Sequence, residues 1–288
     1  MKSITLSLLF CLFTLSAFSQ GITVDSFKQQ RGFAIGPATL YFSVNRGETG
    51  KQIIQIVNKE DTTYQFHLSA TEWELDSNGH SIHYIDSGNV TNSCASWVSF
   101  SKDVVQVPPN KVATVVVTLK APDTEEAANK MHWCVVNVTM GAEKTAPKKI
   151  TEKATVVLQK EFNLVLHLYQ TPVGLNDKDL KMTGLTIWKD TENLIKKDST
   201  DSETVIKISG RNTGNVSLRC QFSAKLSSLA TGQSYSLKPV EGLVLPNGTR
   251  VANIHVPKNI PSGRYLIIAS VDGGEDAPVE VAEKEIEI

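Results

Sequence analysis

Beyond its first twenty residues the sequence has no apolar run of the roughly 20 residues that a membrane-spanning helix needs. It has only four cysteines in 288 residues, too few to staple a disulfide scaffold. It has no excess of charge, with 29 basic against 30 acidic side chains, so nothing electrostatic points to nucleic acid or an anionic membrane as partner. It also lacks G-x-S-x-G, H-E-x-x-H and a Gly-rich phosphate loop, and no catalytic residue is assigned. A non-enzyme is expected.

The same poverty extends to metals and cofactors, of which none is expected. His80 and His83 are three apart, a spacing that on a strand sends them to opposite faces. "DSNGH" (76–80) lacks the remaining oxygen ligands and distal Glu of a calcium loop and reads as a hairpin turn. "DGGED" (272–276) gathers three carboxylates, Asp272, Glu275 and Asp276, in what reads as a solvated turn.

What is present begins with a leader. In residues 1–20 Lys2 is the positive start, Ile4 to Leu15 the apolar core, and Ala17-Phe18-Ser19 the cleavage pattern of a secretory signal peptide. Phe10 stands before Cys11 where a lipobox needs a small residue, which argues against lipidation. The mature chain is therefore expected in the periplasm, secreted or at the cell surface. Export permits disulfides, and Cys94 and Cys134, both in the first half, form a candidate pair; two buried thiols are the alternative. Cys220 reads as a core cysteine.

Apolar content of 41% is ordinary for a globular chain, and the length suits two domains. Strand patterns follow one another at 38–44, 52–58, 64–75, 81–85, 97–107, 112–120, 131–140 and 154–169, separated by turn chemistry such as "NRGETG", "DSNGH" and "PPNK". Residues 127–131 leave room for a helical turn at most. The second half continues with 183–188, 203–210, 216–226, 234–238, 242–245, 250–256, 264–271 and 279–288, with 163–169 at the border. Short strands with no long amphipathic helix predict an all-β fold of two tandem immunoglobulin-like antiparallel sandwiches.

Two phrases recur in order. "IIQIVNKEDTTYQFHLSATEW" is answered by "KISGRNTGNVSLRCQFSAKL", and "VVQVPPNKVATVVVTLKAP" by "LVLPNGTRVANIHVPKNIPSG". Pro109 stands 51 positions after Asn58, whereas Pro246 stands 34 after Asn212. The second copy thus lacks most of the extra hairpin "ELDSNGHSIHYIDSG". "GAEKTAPKKITEK" (141–153) reads as a loop within the first sandwich. The expected division is a leader over 1–20, one sandwich over 21–170 and another over 171–288.

The stretch "ATVVLQKEFNLVLHLY" (154–169) alternates cleanly. One row holds Val156, Leu158, Lys160, Phe162, Leu164, Leu166 and Leu168, apolar except for the lysine. Sixteen residues exceed the usual five or six of a strand. It is a connector, an ordinary last strand on its own core, or an edge strand open to pairing with another chain.

With the leader and these two sandwiches, the chain resembles the periplasmic pilus chaperones of the PapD type, over most of its mature length. The resemblance is clearest in "YFSVNRGETGKQIIQIVNKEDTTYQFHLSATEW" and "SWVSFSKDVVQVPPNKVATVVVTLKAPDTEEAANKMHWCVVNV". It implies an L-shaped pair of domains that donates apolar side chains, here Val156, Leu158, Phe162, Leu164 and Leu166, to a secreted β-rich subunit of fimbrial type lacking its last strand. Such chaperones hold the subunit's terminal carboxylate with an Arg on the first strand and a Lys near the end of the donor strand. Here "PATLYFSV" has no Arg, and the Lys position falls at about Leu166 or His167. The first domain is also similar to tandem-sandwich surface proteins that bind cell-wall polymer or other surface proteins. The expected function is a periplasmic chaperone or assembly factor that binds by strand addition, with a surface adhesion or cell-wall-binding protein as alternative.

Overall fold

Alternation along the chain becomes burial with a period of two. In β13 (Leu218–Ser228) Leu218, Cys220, Phe222, Ala224 and Leu226 are buried while the residues between them face outward. The computed structural model describes residues 32–141, 162–189 and 204–288. The expected leader, most of the polar stretch 141–153, Val156 and Leu158 lie outside them. Among the described residues no helix is long and apolar enough to cross a membrane.

Among the described residues, ten strands build the first sandwich. One sheet has the order β1 (Phe33–Gly36), β3 (Thr49–Asn58), β8 (Val112–Lys120), β6 (Val98–Phe100). The other runs β2 (Thr39–Ser43), β10 (Phe162–Thr171), β9 (His132–Gly141), β4 (Tyr64–Leu75), β5 (Ser81–Tyr84), with β7 (Val104–Val107) also on β4. Leu40, Ile54, Phe66, Val117, Val136 and Leu168 meet in the core between them. A single helical turn, α1 (Glu125–Asn129), is capped by Thr124, whose hydroxyl accepts from Ala127 N.

Two expectations need correction. The strand expected over 97–107 is two strands in opposite sheets: Ser101 N still donates to Val116 O on β8, but Asp103 O accepts from Leu68 N on β4. Alternation cannot reveal such a switch, because both pieces keep it. A strand before Pro37 went unforeseen. β1 is four residues with no alternating polar partner, ending in Gly-Pro, and it pairs with β3 while β2 pairs with β10.

The second sandwich stacks β11 (Leu180–Lys189), β12 (Thr204–Asn212) and β16 (Thr249–His255) against a sheet of β14 (Ser234–Ser236), β13, β17 (Arg264–Asp272) and β18 (Val279–Glu287). β15 (Val240–Val244) pairs β13 on the same flank as β14. The fold is all-β, two tandem antiparallel sandwiches. A third apolar cluster joins them: Trp73, Val90, Met131 and Trp133 from the first pack with Val216 and Leu245 from the second. Trp133 Nε1 donates to Trp73 O at 3.0 Å, and Met131 N to Asn215 O at 3.3 Å across the joint.

Cys94 and Cys134 lie side by side in the first core as free thiols. Cys94 N donates to Trp133 O at 3.2 Å, which sets the two cysteines in neighbouring register. Burial first, then a hydrogen bond to Cys134, pushes the Cys94 thiol well above its ordinary pKa.

Candidate functional site

β10 is flanked unequally. Along one side β9 pairs it from Phe162↔Met140 to Gln170↔His132. Along the other, β2 pairs it in parallel only from His167↔Thr39 to Thr171↔Ser43, with His167 N donating to Ala38 O at 3.2 Å. No described strand lies beside Asn163 to Leu166 on that flank. Alternation puts the backbone groups of Asn163 and Val165 on the same side as those of His167, facing the open edge.

Side chains on the inward row grade from core to surface along this edge. Leu166 is fully buried, Leu164 is half-buried against the same core, and Phe162 is 45% exposed. Leu166 is therefore a core residue, because its part of β10 is already covered by the facing sheet. Phe162 joins an aromatic group at that end of the sandwich, 6.5 Å from Phe33, which packs edge-on to Tyr64 and Phe66. On the outward row Asn163 Nδ2 donates to Asn137 Oδ1, and Asn137 Nδ2 to Thr71 Oγ1, a polar ladder across three strands.

Where β2 begins, the outward row enters a cleft of about 340 Å³ between the two sandwiches. Tyr41 stacks on Tyr169 at 5.6 Å, and Trp73 meets His167 edge-on at 4.4 Å. From the second sandwich come Ser217, Arg219, Leu243 and Arg250. Burial pushes the Tyr169 phenol up to about 12, with Tyr41 adding to the rise and Arg219 opposing it. Burial, then His83, holds His167 below the ordinary imidazole value, so it is neutral at pH 7. The positive charge of the cleft thus resides on the two arginines, and no acid is among its described lining residues. Trp73 Nε1, His167 Nδ1 and Arg250 Nε are buried without a hydrogen-bond partner, and all three residues border this cleft. Chemically it is a donor-rich pocket suited to an acceptor group such as a carboxylate.

Tyr41, Arg219 and Arg250 were not singled out from the sequence. A signal existed for one of them, since Arg250 is the basic residue of the second copy of the repeated phrase. Trp73 is 1% exposed, and Trp97 is half-buried against the first core. His80 sits in its turn on Asp76, and among the described residues no cluster of His, Cys, Asp and Glu is placed to hold a metal.

No protein-family model matches the sequence, and no curated protein does. Solved structures do resemble the fold. The YadV chaperone is 12% identical over 89% of this chain and 99% of its own, with a TM-score of 0.41. A chain of a chaperone–tip adhesin complex of CFA/I fimbriae biogenesis gives 11%, 88%, 98% and 0.45. A chain of the CsuC–CsuE pre-assembly complex from Csu pili of Acinetobacter baumannii gives 14%, 88%, 97% and 0.43. The likeness is one of architecture, and what the chain does is argued from its own residues.

Proposed function

We propose that this chain is an exported, non-enzymatic assembly factor of chaperone type that binds a β-rich protein segment by strand addition along β10. One observation carries the reading: β2 begins only at Thr39, and among the described residues no strand pairs with the outward backbone of Asn163 and Val165 before it. Unpaired edge groups are normally protected, and an extended peptide satisfies them with main-chain hydrogen bonds while its side chains seek pockets. Half-buried Leu164 and exposed Phe162 supply apolar contact on the inward face. Val156 and Leu158 continue the same row in the sequence.

A strand added in the direction of β2 must end where β2 starts, at the cleft bearing Arg219 and Arg250. A terminal carboxylate arriving there meets the guanidinium groups of Arg219 and Arg250 from the second sandwich. They take the role for which the first strand and the end of the donor strand have no cation. In this reading residues 1–20 are the leader, 21–170 and 171–288 the two domains, and the place of action is the periplasm or cell surface.

The test compares Asn163→Pro with Asn163→Ala. Proline at an edge position removes the outward N–H without breaking a ladder bond inside the sheet. Both variants lose the side-chain contact to Asn137, so both should share circular dichroism and melting temperature. A β-rich partner identified by mass spectrometry should co-purify with wild type and Asn163→Ala and be lost from Asn163→Pro. Equal capture by the two variants rules out pairing at this edge.

A further inference from the structure

The β4–β5 hairpin of the first sandwich reaches across the joint. Its turn, Asp76 to His80, is organised by one carboxylate: Asp76 Oδ1 accepts from Asn78 N at 2.9 Å and His80 N at 2.8 Å, and Oδ2 meets His80 Nδ1 at 3.1 Å. Gly79 takes φ +81°, the left-handed conformation that closes the turn. The tip so formed presents the Ser77 carbonyl to the second sandwich, where Val251 N donates to it at 2.6 Å.

Val251 belongs to β16, the edge strand of the three-stranded sheet. Its register partner on β12 is Ser209, and its N–H points away from that neighbour to the hairpin. The turn therefore caps an edge that would otherwise be open. Arg250, the preceding residue, lies between a glycine of each sandwich. A Cβ on Gly79 would stand on its Nη1, and a Cβ on Gly242 would stand 2.9 Å from its Nε. Close approach of a guanidinium to two backbones is possible only where both lack side chains.

We propose that the Asp76–His80 turn is an interdomain latch, held by the Ser77–Val251 hydrogen bond and by Arg250 seated between Gly79 and Gly242, that fixes the width of the cleft between the sandwiches. The apolar joint around Trp73 and Trp133 brings the two bodies together, but such contacts are non-directional. The hydrogen bond and the seated guanidinium at the hairpin turn are directional and remove the remaining rotation. Arg250 also borders the cleft, so the latch aims one of its two cations. The proposal does not depend on strand addition.

The test is the distance distribution between spin labels on Ser99→Cys and Thr231→Cys, exposed positions in the two sandwiches; the described native cysteines are buried. Val251→Pro deletes the latch donor while sparing the β12 ladder, and Val251→Ala keeps the donor. Wild type and Val251→Ala should give one narrow distribution, and Val251→Pro one about twofold broader or more. Gly242→Ala and Arg250→Ala should broaden it as well, which keeps the test decisive if Val251→Pro fails to fold. Distributions equally narrow in Arg250→Ala, Gly242→Ala and any folded Val251→Pro overturn the latch. Equal broadening in Val251→Ala and Val251→Pro also overturns it, since side-chain packing would then explain the effect.

Discussion

Asn58 and Asn212 occupy the same place in the two sandwiches and make the same bonds. Asn58 Nδ2 donates to Thr62 O at 2.8 Å and Val107 O at 2.9 Å, and Asn212 Nδ2 donates to Val216 O at 2.8 Å and Val244 O at 3.0 Å. Each side-chain oxygen accepts from the backbone two residues on, Glu60 N and Gly214 N. Each backbone N–H reaches the loop after the proline, at Lys111 O and Gly248 O. Both loops turn on an asparagine in the left-handed region, Asn110 and Asn247. One buried amide thus ties the end of a strand to the strand before the Pro-containing turn, twice over.

Removing either amide strands buried carbonyls. Asn58→Ala and Asn212→Ala should each lower unfolding free energy by about 2–3 kcal/mol, read from urea midpoints at unchanged slope. A loss below about 0.5 kcal/mol, typical of a neutral surface change, would falsify the structural role of that residue.

Glu72 is a buried carboxylate that the sequence did not mark. Burial pushes its pKa up, but backbone donors at Gly88, Asn89 and Val90, with Ser93, more than offset this and hold it below its ordinary value. The depressed folded pKa means its stabilisation is complete above the unfolded value near 4.3 and is lost as pH falls through the lower folded value. Glu72→Gln should flatten the acid limb of the stability curve and free the 88–90 loop to hydrogen exchange. An unchanged acid limb counts against it.

His132 and His167 are both held below the ordinary imidazole value, chiefly by burial. Protons therefore bind the unfolded chain more readily than the folded one. Stability should be full above the unfolded pKa of about 6.5 and decline as pH falls below it, and His167→Gln should remove part of that slope. Melting temperatures between pH 5 and 8 decide this.

The thiols offer a chemical check. Cys94, Cys134 and Cys220 are buried, and burial pushes Cys220 to about 11. Alkylation at pH 8 should be negligible in the folded chain, because the thiolate is the reactive form, and complete at all three after denaturation without reductant. If only Cys220 reacts then, Cys94 and Cys134 are joined as a disulfide, and their free-thiol state is overturned.

The sequence by itself determined the class of fold and most of its strands. Period-two patterning such as "LRCQFSAKL" leaves a strand only one way to bury its apolar row. The paired Asn-turn and Pro-turn phrases announced two copies of one sandwich, because those turns need those residues locally. Tertiary structure alone decided which edges are open. Alternation says that Leu164 and Leu166 share a face, but the covering sheet decides that Leu166 is buried and Leu164 only half so. Pairing partners lie far off in sequence, so the start of β2 at Thr39 and the flank of β10 that no described strand covers could not be read from either segment. The cleft is decided at longer range still: Arg219 and Arg250 reach Tyr41 and His167 only because the two sandwiches meet on Trp73, Trp133 and the hairpin turn.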